Sequence, residues 1–154
     1  MTDYSTSMRT DRCGDLRIDD VGRRVTLCGG VDRRREHGEH LAFVDLRDRS
    51  GVVQVVVDGA QDLRSEYVIQ VTGDVRERPD ETANDNLATG AVEVEAIELV
   101  LLATAEPPPF PLSERTEVDE VVRLRHRYVD LRRPRMQRNL AVSYTHLTLP
   151  TILL

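Results

Sequence analysis

Residues 41–57, LAFVDLRDRSGVVQVVV, constrain the fold of this chain more than any other stretch. Alternating apolar residues flank Arg49-Ser50-Gly51, the pattern of two strands joined by a tight turn. Side chains alternate across a strand, so Ala42, Val44 and Leu46 share one side and form a natural core face. Leu41, Phe43, Asp45 and Arg47 share the other, and on the next strand Gln54 sits opposite Val53, Val55 and Val57. An aromatic ring, an amide and arginines on the outer face of a small sheet suit a single-stranded nucleic acid, whose bases need stacking and edge reading. The competing reading of Phe43 is a cap on the barrel core.

Three further strand-like runs complete the pattern. Arg24–Arg35 (RVTLCGGVDRRR) sets Val25, Leu27 and Val31 on one face, and residues 67–77 alternate Ile69, Val71 and Val75 with polar positions. Residues 91–102 form the last run, after a polar, turn-rich loop at 78–90, RPDETANDNLATG. A short helix is expected at Asp62–Tyr67. Five strands with a helix between the third and fourth is the order of an all-β OB-fold, a Greek-key barrel. An SH3-like barrel is the competitor; the helix and the long, bent first strand favour the OB-fold.

Composition narrows the function. The 154 residues allow one ordinary domain and part of another. A net charge of −6 argues against a general nucleic-acid coat protein but leaves room for a local basic patch. Arg33, Arg34 and Arg35 form one in sequence, with Arg23, Arg24, Arg47 and Arg49 nearby. All 21 basic residues are arginine, which reads mainly as the coding bias of a GC-rich genome. Cys13 and Cys28 lack metal-ligand spacing and read as reduced cysteines; the four histidines are scattered, and no zinc cluster is expected. No run approaches the ~20 apolar residues of a membrane helix, and the polar N-terminus lacks a signal core. No membrane association and a cytoplasmic location are expected.

After Leu102 the character changes. Glu106–Leu112, EPPPFPL, cannot continue a strand or a helix and reads as a linker. Ser113–Leu140 is highly charged; by composition alone its run RLRHRYVDLRRPRM, residues 123–136, is a solvated amphipathic helix. Ala141–Leu154 then carries no charge. One reading is a C-terminal hydrophobic strand. A sharper one is that Val142–Thr151, VSYTHLTLPT, translates the transposase library adapter GTC TCT TAT ACA CAT CTG ACG CTG CCG ACG. The expected organisation is an extension at 1–7, a barrel at 8–104 and a proline-rich linker at 105–118. A truncated second domain would begin at 119–141, with an adapter-derived, non-native tail at 142–154.

Several motifs recur together in order: Met8-Arg9-Thr10, Cys13-Gly14, VTLCGGVDRRR (25–35), FVDLRDRSGVVQVV (43–56), VTGDVRER (71–78) and RYVDLRRP (127–134). In these the chain resembles the N-terminal part of bacterial aspartyl-tRNA synthetases, from Met8 to about Leu140. The resemblance implies an OB-fold that binds the guanine-uracil-cytosine anticodon, followed by the start of a class II α+β catalytic domain. It implies that Phe43 stacks on the central uracil and Gln54 hydrogen-bonds its edge. Arg35 and Glu93 would approach the first base, and Arg76, Arg78 and Asn84 the third. Strand parity independently turns Glu93 outward, away from Val92 and Val94.

The implied parent enzyme is a homodimer that uses ATP and Mg²⁺ to activate aspartate and transfer it to tRNA(Asp). The class II motifs lie beyond Leu140, so neither a catalytic residue, a metal ligand nor a cofactor is assigned to this chain. Gly30 stands where the family has tryptophan, which is expected to remove an anchor from the barrel, and the turn His37–Leu41 is one residue longer. His37 occupies a position associated with charging of tRNA(Asn) as well, whereas Glu81 stands where such enzymes often have glycine. A stand-alone single-stranded nucleic-acid-binding OB module would explain residues 41–57 but not the linker or residues 123–134. A protein-interaction OB domain is the third alternative, compatible with the acidic charge.

Overall fold

The computed structural model describes residues 8–38, 40–59 and 62–152, which divide into two compact units at Pro107 and Pro108. The first unit is built on five strands: β1 (Arg24–His37), β2 (Leu41–Arg47), β3 (Val52–Asp58), β4 (Val68–Glu77) and β5 (Val92–Ala103). They close into a barrel in the order β1-β2-β3-β5-β4, with β3 and β5 parallel and every other pairing antiparallel. This is the expected OB-fold. The length of β1 follows from its two partners: residues 24–30 pair with β4 and 30–37 with β2. An irregularity between Val31 and Arg33 marks the changeover, where a bulge bends the strand.

The alternating apolar residues fill the interior as their parity requires. Leu27, Val44, Leu46, Val55, Ile69 and Val94 are completely buried, and each such side chain contributes about 1.5–3 kcal/mol. Cys13 and Leu16 join this core from a 3-10 turn, Cys13–Asp15, and its margin. Burial pushes the Cys13 thiol upward, with Asp48 adding to the effect, so it remains protonated at neutral pH.

Asp48 fastens that turn to the β2–β3 hairpin. Its carboxylate accepts hydrogen bonds from the backbone N–H of Cys13 (2.9 Å), Ser50 (2.8 Å) and Gly51 (3.3 Å), and from the Ser50 hydroxyl. Burial opposes its charge, but these hydrogen bonds outweigh burial and hold its pKa below the usual carboxylate value. A depressed pKa stabilises the fold above the unfolded value of about 4 and loses that contribution as pH falls through the folded value. Asp48→Asn is therefore expected to lower the urea midpoint most near neutrality. The gap to the unmodified protein should close in acid; a gap constant from pH 7 to 3 would refute this.

One local expectation is corrected. Asp62–Tyr67 forms a turn rather than a helix. Its backbone bonds to β1 instead, through Glu66 N–H to the Val31 carbonyl (2.7 Å) and Val31 N–H to the Tyr67 carbonyl (2.8 Å). Glu66 also lies in the left-handed region, φ 69°, and six residues are too few to nucleate a helix against such pairing. Gly30 is half-buried on β1. A Cβ there would meet only the Arg47 carbonyl oxygen, 4.0 Å away. It is Gly29 that needs to be small: its Cβ would lie 2.6 Å from that same oxygen.

The second unit contains α1 (Glu120–Arg125), α2 (Arg127–Asp130) and α3 (Pro134–Ile152). Asp119 caps α1 by accepting from Val121 N–H at 2.8 Å. Phe110, Leu112 and Val129 form a small core. The charged run RLRHRYVDLRRPRM is thus no plain solvated helix. Its Asp130 is completely buried and accepts from Arg123 and Arg127, both at 2.8 Å, while Arg133 donates to the carbonyls of Ser113 and Thr116. As far as Ile152 the C-terminal segment is helical rather than extended, being part of α3, and its Val142, Tyr144 and Leu147 side chains are exposed.

Candidate nucleic-acid interface

Strand register places one polar residue from each of four strands in a single row across the barrel's outer face. Asp45 on β2 faces Gln54 on β3, Gln54 faces Glu93 on β5, and Glu93 faces Arg76 on β4. Arg35, on β1 opposite Phe43, reaches over to the same row. Its guanidinium donates to Asp45 Oδ1 (3.1 Å) and to Gln54 Oε1 (3.0 Å). Gln54 Nε2 donates to Glu93 Oε2 (2.8 Å), and Arg76 Nε donates to Glu93 Oε1 (2.8 Å). Arg76 also pairs with Glu95 at 3.1 Å. The result is a continuous chain of mostly charge-assisted hydrogen bonds from β2 to β4.

Within the chain, the ends are wet and the middle is dry. The Arg35 and Arg76 side chains are 44% and 42% exposed, whereas Gln54 is 7% and Glu93 3% exposed. Glu93 is therefore outward by parity, as expected, but its carboxylate is already enclosed by Gln54 and Arg76. Arg78, just past β4, is buried as well; burial lowers its pKa against the attraction of Glu93 and Asp45. Burial likewise raises the Asp45 carboxyl, with Arg35 opposing.

Phe43 stands beside this row. It is half-buried, outside the apolar core, and its ring lies 5.4 Å from that of His37 at an interplanar angle of 57°. A half-buried aromatic ring beside an amide of fixed orientation is the kind of arrangement on which bases stack. The sequence-based set is not brought together in full. Asn84 lies in the 78–90 loop, where its Oδ1 accepts from Asn86 N–H (3.1 Å) and its N–H bonds the Gly90 carbonyl. Glu81 is exposed on a 3-10 turn, Asp80–Thr82.

The basic patch expected from sequence is largely neutralised. Arg23 pairs with Asp11 and Asp20, Arg24 with Asp74, Arg34 with Glu36, and Arg47 with Asp32 and Glu66. Asp45 and Glu95, the acids that complete the polar row, were missed as site residues. The available signal was their spacing, two residues after Phe43 and Glu93 on the same faces.

The closed five-stranded topology, with a half-buried aromatic ring beside an ordered polar row, is that of an OB-fold barrel. The chain belongs to the tRNA anti-codon family of OB-fold nucleic acid binding domains, which its residues 25–102 match. It is 53% identical over 154 residues to the aspartate–tRNA(Asp/Asn) ligase of Heliobacterium modesticaldum, an alignment covering 94% of this chain and 25% of that protein. With the ligase of the same name from Moorella thermoacetica it shares 51% identity, covering 88% of this chain and 24% of that protein. The chain thus spans about a quarter of the length of these relatives. Among solved structures, asparaginyl-tRNA synthetase from Pyrococcus horikoshii complexed with asparaginyl-adenylate has the same fold. Its TM-score is 0.72 at 22% identity, covering 90% of this chain and 32% of that one.

Proposed function

We propose that the barrel reads the anticodon of tRNA(Asp) for an aspartate–tRNA ligase. The observation that carries this reading is the Asp45–Gln54–Glu93–Arg76 row with Phe43 beside it. Similarity to the Heliobacterium and Moorella ligases over most of this chain supports the same assignment. Phe43 would stack on the central uracil and Gln54 would read its edge. Arg35, Arg76, Arg78, Asn84 and Glu93 surround them as the groups proposed for the flanking bases.

The longer, homodimeric cytoplasmic enzyme would use ATP and Mg²⁺ to activate aspartate. Among the described residues no three His, Cys, Asp or Glu side chains converge to hold a metal ion. No step of that activation is assigned to this chain. Reading VSYTHLTLPT as adapter-derived is tested at the genomic locus, and it fails if those residues are encoded there.

The names of the Heliobacterium and Moorella relatives, aspartate–tRNA(Asp/Asn) ligases, support tRNA(Asn) as a second partner, and His37 would act from beside the proposed stacking platform. RNA stem-loops with GUC, GUU or AAA in the loop, titrated against this chain, test both statements. The GUC loop should bind about tenfold or more tighter than AAA, since each 1.4 kcal/mol is tenfold. Comparable affinity for GUU supports dual recognition, and its exclusion sinks that part. Equal binding of all three loops overturns anticodon reading altogether.

A further inference from the structure

Gln54 is held from both ends by groups of opposite hydrogen-bonding character. Arg35 has only donors to offer and meets Gln54 Oε1; ionised Glu93 has only acceptors and meets Gln54 Nε2. Turning the amide over would set N–H against guanidinium and oxygen against carboxylate. The donor and acceptor order of this side chain is therefore fixed by chemistry before any RNA arrives. Glu93 is itself fixed, since its other oxygen accepts from Arg76, and Asp45 holds Arg35 on the opposite flank.

Base recognition depends on that order. Uracil presents an acceptor at O4 beside a donor at N3; cytosine presents a donor at N4 beside an acceptor at N3. An amide that fits one of them in a given pose meets the other donor to donor and acceptor to acceptor. A freely turning glutamine would serve both pyrimidines. A locked one serves a single order.

We propose that Arg35 and Glu93 are positioning residues that lock the Gln54 amide, making the barrel select uracil over cytosine at the central anticodon base. This rests on the anticodon reading above and assigns the two charged residues a role exerted through Gln54. Either end alone still demands one orientation. Loss of selectivity is therefore expected to be partial in Arg35→Met and in Glu93→Gln, and near complete only in the double variant.

The test titrates this chain and the three variants with a GUC stem-loop and the same stem-loop carrying GCC. The unmodified chain should prefer GUC roughly tenfold or more. In the double variant the preference should shrink to within about threefold, with the GCC loop binding more tightly than it does to the unmodified chain. A GUC-to-GCC ratio that survives in the double variant overturns the lock, whether or not both affinities fall through lost contacts to the flanking bases. An unmodified chain that binds GUC and GCC equally overturns the uracil reading itself, a separate failure.

Side-chain amide NMR of the free, unmodified chain gives a readout independent of the variants' folding. One Gln54 amide proton should be protected from exchange and shifted by the carboxylate. Two protons behaving like those of an exposed glutamine overturn the proposal.

Discussion

Phe43→Ala is expected to weaken binding of a GUC stem-loop by about 1–3 kcal/mol, or roughly 5- to 150-fold in Kd, with little loss of folding. The position of the ring sets the size of the effect. Phe43 has the outward parity of β2, between the buried Ala42 and Val44, and lies outside the apolar core. Its removal opens no interior cavity, so the large cost of emptying a core site does not apply. What disappears is the flat surface on which a base would stack and the contact with the His37 ring. Isothermal titration for binding and thermal unfolding for stability separate the outcomes. A variant that unfolds easily makes Phe43 a structural cap, and a folded variant with unchanged affinity removes it from the interface.

The barrel was legible in the sequence because its information is local. Period-two alternation in residues 41–57 and 67–77 states which side chains face inward, and the closed barrel buries Val44, Leu46, Val55, Ile69 and Val71 accordingly. Where local signals competed with long-range pairing, pairing prevailed. Asp62–Tyr67 looks helical in isolation, yet its backbone groups are taken by β1 through Val31. The outward row was legible in part. Parity put Gln54 and Glu93 on the outer face, but their near-complete burial depends on Arg35 arriving from β1 and Arg76 from β4. Those contacts span separations of 19 and 17 residues, which no local pattern encodes. Ion pairing hid in the same way. The acids that neutralise Arg24 and Arg47 lie on other elements, so a basic patch in sequence became a set of salt bridges in space.

The second large effect is expected at Gly73 and concerns the barrel's closure. Gly73 sits on β4 at an irregularity in the β4–β5 ladder, opposite Ala96. A Cβ there would fall 2.9 Å from the backbone carbonyl carbon of Glu95 and closer still to its oxygen. Backbone cannot rotate aside as a side-chain tip can, so relief requires the two strands to move apart. Their pairing runs from Val68–Ala103 to Glu77–Val92 and includes the Arg76–Glu93 step of the polar row. Gly73→Ala should therefore cost at least the 1–3 kcal/mol typical of overpacking. RNA affinity should fall with it, because Glu93 would lose its alignment to Gln54. Gly30→Ala supplies the contrast, since its added methyl meets only one oxygen at 4.0 Å. Stability there should hold or rise by about 0.4–1 kcal/mol through reduced freedom of the unfolded chain. Urea unfolding of both variants decides the matter: equal midpoints would mean that close approach of Gly73 to Glu95 does not govern closure of the barrel.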